Sequence, residues 1–219
     1  MSLRYIKCLL LSTKKDGSAL LPMVAVMLVF LMFLTGFIYR REEHQINYKK
    51  IDTALTDSLL AGGVINLTEF GKSGKVMIQD GYEPSVWDFY FNNSYRLFCD
   101  CLKSNLRLDD EYNATVDNGI VGAVSILEFK VYNYIEDEDG FYIAETGLNR
   151  GQGYAIKHER NEPVYVNAND SQVEIKETSV YGRIGFRFRL AKRASWLSGM
   201  AERYFEDDYT LTRLIGIAH

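Results

Sequence analysis

A basic cluster near the C-terminal end contains the residues whose types and spacing point most clearly to binding chemistry. Its members are Arg183, Arg187, Arg189, Lys192 and Arg193. In an acidic region, such a cluster could dock an acidic partner subunit or an anionic polymer. The other interpretation, which the pattern favours, is a solvated face of a β-sheet whose arginines pair with local acids.

A run of four consecutive acids is the second candidate site. It consists of Glu136, Asp137, Glu138 and Asp139. Carboxylate oxygens are the ligands that calcium prefers, but this spacing differs from that of the helix–loop–helix calcium motif. We therefore interpret the run as the solvated tip of a β-hairpin, and calcium binding stays open as the alternative.

The residues that usually carry catalysis form no recognisable motif. The histidines are His44, His158 and His219, and none of them lies in a nucleophile or zinc-binding pattern. The glycine-rich stretch 147–153 lacks the Gly-Lys-Ser/Thr end of a phosphate-binding loop. The sequence therefore predicts no catalytic residue, no cofactor and no metal ligand, and it indicates a protein that is not an enzyme.

The three cysteines, Cys8, Cys99 and Cys101, do not indicate a disulfide or a zinc site. Cys99 and Cys101 lie two residues apart on a predicted helix, so their side chains point to nearly opposite faces. Zinc would need further ligands, and no second cysteine pair exists. We expect Cys101 to lie in the core and Cys99 to be the more exposed of the two.

The chain that positions these residues has a long apolar stretch near its N-terminal end. No charged residue occurs from Ser18 to Tyr39. As a helix, these roughly 22 residues would extend about 33 Å, which matches the hydrocarbon core of a bilayer. A cleaved secretory signal has a shorter apolar core and a small-residue cleavage site, which the following GFIYRREE does not offer. The stretch 18–39 is therefore predicted to be a transmembrane anchor.

Charge is distributed unevenly along the 219 residues, whose formal net charge is −4. Residues 1–39 contain four basic residues and one acid, so the remainder is acidic, and nucleic-acid binding is not expected. Basic pairs lie on both sides of the apolar stretch, at 14–15 and 40–41, and orientation by charge alone is nearly a tie. The long acidic domain favours an extracytoplasmic location for the C-terminal part.

The junction between the basic leader and the apolar stretch is KKDG followed by SALL. Here the sequence resembles precursors of type IV pilin-like proteins, most closely the TadE-like pseudopilins of tight-adherence systems. The resemblance implies that a prepilin peptidase cuts between Gly17 and Ser18. Pro22 stands at the fifth position after Gly17, where the family often has Glu, and this departure favours a minor subunit over the repeating one.

The domain organisation follows from these features. The leader covers 1–17, the transmembrane helix 18–39, an amphipathic continuation 40–63 and an α+β head 64–219. Apolar residues recur at helical spacing through the continuation, namely Tyr48, Ile51, Leu55, Leu59 and Gly62. A single long helix is expected, and two helices with a hinge at 40–41 are the alternative.

The head is predicted to contain helices and an antiparallel β-sheet. An aromatic-rich helix follows Pro84-Ser85, after an irregular or short-strand region over 64–83. The strands are 120–134, 141–146, 154–158, 173–190 and 209–217, with a loop over 147–153 and a short helix around Trp196. In the strand 173–190, Ile184, Phe186, Phe188 and Leu190 face the core, and the arginines face outward.

These features together predict a single-pass protein of the cell membrane with an extracytoplasmic head. The resemblance implies a structural role as a minor pseudopilin of a type IV or Tad-type pilus or a related secretion assembly. Its partners would be membrane lipid, other pilin-like subunits or the assembly platform, and a prepilin peptidase. The alternative is a membrane-anchored binding or sensing module that does not polymerise.

Overall fold

Helix α1 runs from Leu20 to Gly62 in the computed structural model of the protein. The structure describes residues 20–78, 93–116, 118–149, 152–168, 171–189 and 206–217. The chain divides into two units, residues 1–46 and 47–219. Residues 40 and 41 are helical and lie within α1. The structure therefore has one helix there and not the two helices of the alternative.

The stretch of α1 from Leu21 to Leu34, in the first unit, is apolar and exposed. Every large hydrophobic side chain from Leu21 to Leu34 is 45–78% exposed. This helix is long and apolar enough to cross a membrane, judged by its length and composition. A helix surface of this composition is unfavourable in water, because the free energy falls when apolar side chains leave water.

The second unit is built on a five-stranded antiparallel sheet with the order β3-β2-β1-β6-β7. Its strands are β1 (Ile120–Asp137), β2 (Gly140–Asn149), β3 (Gln152–Lys157), β6 (Ser179–Arg189) and β7 (Glu206–Gly216). A separate two-stranded ribbon consists of β4 (Tyr165–Ala168) and β5 (Ser171–Glu174). The predicted class, a long apolar N-terminal helix and an α+β domain with an antiparallel sheet, is confirmed.

One face of the sheet carries the larger core, beneath two helices. These are the end of α1 and helix α3 (Asn93–Leu106). The buried side chains come from α1 (Ile51, Leu55, Leu59), from α3 (Phe98, Leu102) and from the strands (Phe129, Ile184, Phe186, Phe188). The predicted inner faces of α1 and β6 are therefore confirmed for these residues.

The other face of the sheet carries a smaller core beneath the ribbon. Tyr132, Ile143 and Tyr181 of the large sheet pack there with Val166 of β4 and with Ile175. Successive side chains of a strand point to opposite faces, so Tyr132 and Val131 belong to different cores. The sheet is thus covered by helices on one side and partly by the ribbon on the other.

Two predicted irregular segments are in fact structured. Residues 64–83 were expected to be irregular or to form short strands, but helix α2 (Leu67–Ser73) forms there, and Ile65 and Ile78 make an isolated β-bridge. Residues 79–92 lie outside the described part. The Asn66 side chain accepts a hydrogen bond from the Thr68 amide at 3.1 Å, and Gly74, with φ 67°, follows the last turn. These two caps are local signals in the sequence.

The predicted loop 147–153 is also wrong in extent, because β2 continues to Asn149 and β3 begins at Gln152. These two residues pair directly across the hairpin. A Cβ on Gly147 would lie 2.6 Å from the Tyr154 ring, so the glycine leaves room for that ring rather than breaking the strand.

The predicted strand 173–190 is two strands, because β5 ends at Glu174 and β6 starts at Ser179. Thr178 lies between them and turns its hydroxyl inward. Its Oγ1 donates to the Val76 carbonyl at 2.8 Å and accepts from the Tyr134 amide at 3.1 Å. Leu190 and the predicted helix around Trp196 lie outside the described residues.

The expected burial of the two helical cysteines is reversed. Cys99 is buried and Cys101 is only partly buried. The buried face of α3 contains Phe98 and Leu102, and Cys99 lies beside Phe98 on the side that faces the sheet. This burial raises the pKa of the Cys99 thiol. The described helix begins at Asn93, so the predicted start of this helix after Pro84-Ser85 lies outside the described part.

The packing of α1 predicts very different effects for two adjacent leucines. Leu59 is 0% exposed and Leu60 is 51% exposed. We expect Leu59→Ala to lower the free energy of unfolding by about 2–5 kcal/mol, because it leaves a cavity against the sheet. Leu60→Ala, the matched control, should change it by less than about 0.5 kcal/mol. Denaturant unfolding of the full chain in micelles measures both, and equal losses would contradict the placement of this helix in the core.

Candidate functional site: a polar groove on the sheet

A polar groove lies on the face of the sheet that carries the ribbon. It has a volume of about 540 Å³. The sheet contributes Glu128, Lys130 and Tyr132 from β1, Tyr181 and Arg183 from β6, and Thr210 and Thr212 from β7, and the ribbon contributes Tyr165, Val166 and Asn167 from β4. Tyrosines, hydroxyls and charged groups predominate in this lining, unlike the mostly apolar lining of a typical ligand pocket.

The register of β1 and β6 brings the charged residues of the groove together. Glu128 pairs directly with Arg183, and Lys130 pairs with Tyr181. A one-residue irregularity in β1 between Ile126 and Glu128 sets this register. Because of it, Ile126 packs against the larger core while Glu128 faces the groove. The bulge therefore switches β1 from an apolar face to a polar one.

The charges of the groove alternate in sign across the strands. Arg183 Nη1 lies 3.2 Å from one oxygen of Glu128, and Lys130 Nζ lies 3.4 Å from the other. Lys130 Nζ also lies 3.7 Å from Oε1 of Glu145 on β2. Each cation is thus beside a carboxylate, and the partners hold one another in place.

Glu145 is the carboxylate that Lys130, Tyr154 and His158 all contact in this network. Only 7% of the residue is exposed. The Tyr154 hydroxyl donates to its Oε1 at 2.6 Å, and Nε2 of His158 lies 2.9 Å from its Oε2. A buried carboxylate requires such partners, because an unpaired charge away from water is costly. Because these two contacts fix Glu145, its ion pair with Lys130 also restrains the lysine.

The tyrosine hydroxyls of this region stay protonated. Burial is the main cause that raises the pKa of Tyr132, Tyr154 and Tyr181 above the ordinary value, and the charges of Glu145 or Glu128 raise it further. A tyrosine is protonated at neutral pH even with its ordinary pKa, so each hydroxyl can both donate and accept a hydrogen bond and adds no charge to the groove.

The predicted basic cluster is divided by the structure. Arg183 pairs with Glu128, and Nε of Arg187 lies 3.2 Å from Oδ1 of Asp208. Arg189 ends β6, but its side chain is not among those described, and Lys192 and Arg193 lie outside the described residues. The two arginines whose side chains are described meet local acids, and docking of an acidic partner stays a prediction.

The predicted acidic hairpin tip is held by an arginine. Both terminal nitrogens of Arg160 bind the Asp137 carboxylate, at 2.5 and 2.9 Å, and one lies 3.8 Å from Asp139. This pairing is the main reason that the pKa of Asp137 is lowered. Gly140 has φ 122°, and a Cβ there would collide with the Asn161 side chain. That side chain accepts a hydrogen bond from the Phe141 amide. Within the described ranges, no group of three or more His, Cys, Asp or Glu residues is placed to hold a metal ion.

The remaining candidates from the sequence lie in the first unit, in the Glu145 network or outside the described residues. Gly17, Ser18 and His219 are outside the described residues, and His44 lies in the first unit. His158 lies in the Glu145 network, although it matched no motif in the sequence. No protein-family model, no curated protein and no solved structure matches the chain.

Sequence reasoning missed the groove itself. Glu128, Lys130 and Tyr132 alternate with buried Phe129 and Val131, which is a local signal of a polar strand face. The partners of these residues come from distant parts of the chain, at Glu145 and Arg183, and no spacing rule connects them.

The Glu145 network predicts a stability effect of one hydroxyl group. Tyr154→Phe removes the donor to a buried carboxylate, so we expect the free energy of unfolding to fall by about 1.5–3 kcal/mol. Tyr165→Phe is the matched control, since that residue is 52% exposed and its change should stay within about 0.5 kcal/mol. Thermal or denaturant unfolding measures both. A Tyr154→Phe protein as stable as the control would show that the hydroxyl does not sustain the carboxylate.

Proposed function

We propose that the protein is a single-pass envelope protein and serves as a minor, pilin-like structural subunit. The observation that carries this proposal is that α1 has two parts, which differ in composition and in burial. Its first part exposes only apolar side chains over Leu21–Leu34, and its last part buries Ile51, Leu55 and Leu59 in the head. One helix is thus both the candidate anchor and a core element of the head.

This arrangement suits a subunit that is transferred between a membrane and a fibre. Apolar helices that leave lipid can pack against one another, and their side chains then stay out of water throughout the transfer. Because the same helix is built into the head, the head would move with it. The KKDG–SALL junction supports processing by a prepilin peptidase, and Pro22 in place of an acid supports a minor rather than a repeating subunit.

The second candidate is a membrane-anchored binding module that does not polymerise. The polar groove is the observation that favours it, because its tyrosine, hydroxyl and charged groups offer hydrogen bonds to a ligand. Both proposals place the head outside the cytoplasm. They differ in whether the leader is removed and whether the chain assembles with other pilin-like chains.

Processing separates the two candidates. We expect the mature protein in its native host to begin at Ser18, because the pilin-like leader would end at Gly17. N-terminal sequencing of the purified protein tests this. Gly17→Leu should retain the leader, because a bulky side chain then precedes the cleaved bond. Gly36→Leu should be processed normally, since a side chain there meets nothing within 4 Å. A wild-type protein that keeps residues 1–17 would favour the binding module.

Insertion of α1 is testable with one charge. Val29→Arg places a cation near the centre of the apolar stretch, at a cost of about 2.5–3.5 kcal/mol on insertion scales. We expect protease added to spheroplasts to digest the wild-type head and to leave the head of this variant intact inside the cell. Val29→Leu is the control and should behave as the wild type. Digestion of the Val29→Arg head as well would contradict a membrane-spanning role for α1.

A further inference from the structure

We propose that the polar groove between the large sheet and β4 binds an uncharged saccharide. The groove lies entirely within the second unit, so this inference stands apart from how the chain is anchored or assembled. Its volume of about 540 Å³ is within the common range for small-ligand sites, roughly 300–1,000 Å³.

The charge balance of the groove argues for a neutral ligand. Its cations are Lys130 and Arg183, and they lie within 3.7 Å of the carboxylates of Glu128 and Glu145. A phosphate or carboxylate ligand would need an excess of positive charge, and a cationic ligand would need an excess of carboxylates. The lining itself holds these two cations and one carboxylate, Glu128, and Glu145, which lies outside the lining but 3.7 Å from Lys130, supplies the second carboxylate. The four groups together therefore carry no net charge. A ligand with many hydroxyl groups can instead bind to paired acids and bases, because each hydroxyl both donates and accepts.

The uncharged part of the lining matches a sugar in the same way. Thr210, Thr212 and Asn167 offer hydroxyl and amide groups, and the Tyr181 hydroxyl can donate and accept as well. Tyr165 is 52% exposed at the rim, although its neighbour Val166 is buried in the smaller core. An exposed tyrosine ring beside hydrogen-bonding groups offers an apolar face to the C–H side of a pyranose ring and a polar tip to its hydroxyls.

The polar groups of the groove are held before any ligand arrives. Arg183 and Glu128 pair across adjacent strands of a continuous sheet. Lys130 is held between Glu128 and Glu145, and Glu145 is fixed in turn by Tyr154 and His158. Groups fixed in this way lose little conformational entropy on binding, which favours affinity for a weakly interacting ligand such as a sugar.

Binding can be measured on the full chain in micelles of octaethylene glycol dodecyl ether. That detergent has no sugar headgroup, so it does not compete for the groove as a maltoside would. The probes are maltotetraose, cellotetraose and the tetramer of N-acetylglucosamine, titrated by calorimetry and by saturation-transfer NMR. We expect at least one of them to bind, with contacts to tyrosine protons in the NMR experiment.

A matched pair of arginines locates the binding. Arg183 lines the groove and Arg187 lies on the same strand outside its lining, and each lies 3.2 Å from a local acid. Arg183→Gln and Tyr165→Ala should each weaken binding at least about tenfold. Arg187→Gln should leave the affinity unchanged. Thermal unfolding confirms that the variants keep their fold, and Tyr165→Ala serves if Arg183→Gln does not.

Three results would overturn the proposal. The first is that none of the probes binds at concentrations up to about 10 mM. The second is that binding is the same in Tyr165→Ala and in the wild type. The third is that a sulfated or uronic-acid oligosaccharide of the same length binds more tightly than every neutral one, since that would indicate a cationic site. None of these results depends on whether the leader is cleaved, so they leave the proposed function to its own tests.

Discussion

The close contact between α1 and β6 is the constraint on which the head depends. A Cβ on Gly182 would lie 2.7 Å from Cδ2 of Leu59, so the leucine lies directly on the backbone of β6. Only a glycine permits this approach, and it brings Leu55 and Leu59 into the core together with Phe129 and Ile184. Since α1 also contains the apolar stretch, the helix that is the candidate anchor also completes the core of the head.

The two faces of β6 connect this core to the groove. Gly182 and Ile184 face α1, and Tyr181 and Arg183 face the groove. A slip of β6 by one residue would place Arg183 against Leu59 and remove its pairing with Glu128 at the same time. The hydrophobic contact with α1 therefore also fixes the positions of the charges in the groove. This explains how a polar site can keep its geometry although most of its own interactions are between partly exposed groups.

The sequence allowed the long helix, the antiparallel sheet and the buried face of β6 to be predicted, because each is encoded by a local period. Ile51, Leu55 and Leu59 recur at helical spacing, and Ile184 and Phe186 at strand spacing. The errors arose where a residue acts through distant partners. Thr178 interrupts a predicted strand because it binds Val76, which lies far away in the sequence. The glycines of 147–153 suggested a loop, but Gly147 makes room for Tyr154 within a hairpin.

The groove was missed for a related reason, which lies in β1. Strand β1 alternates only partly, because a bulge between Ile126 and Glu128 exchanges its two faces. Read without the bulge, Ile126 and Glu128 belong to one face, and that face is neither apolar nor polar. With the bulge, Ile126 packs on the larger core and Glu128 meets Arg183. Bulges are common beside functional sites because they redirect side chains without ending a strand. A partial alternation in an otherwise strong strand is therefore itself a signal, and here it marks the place where β1 changes from apolar packing to the polar groove.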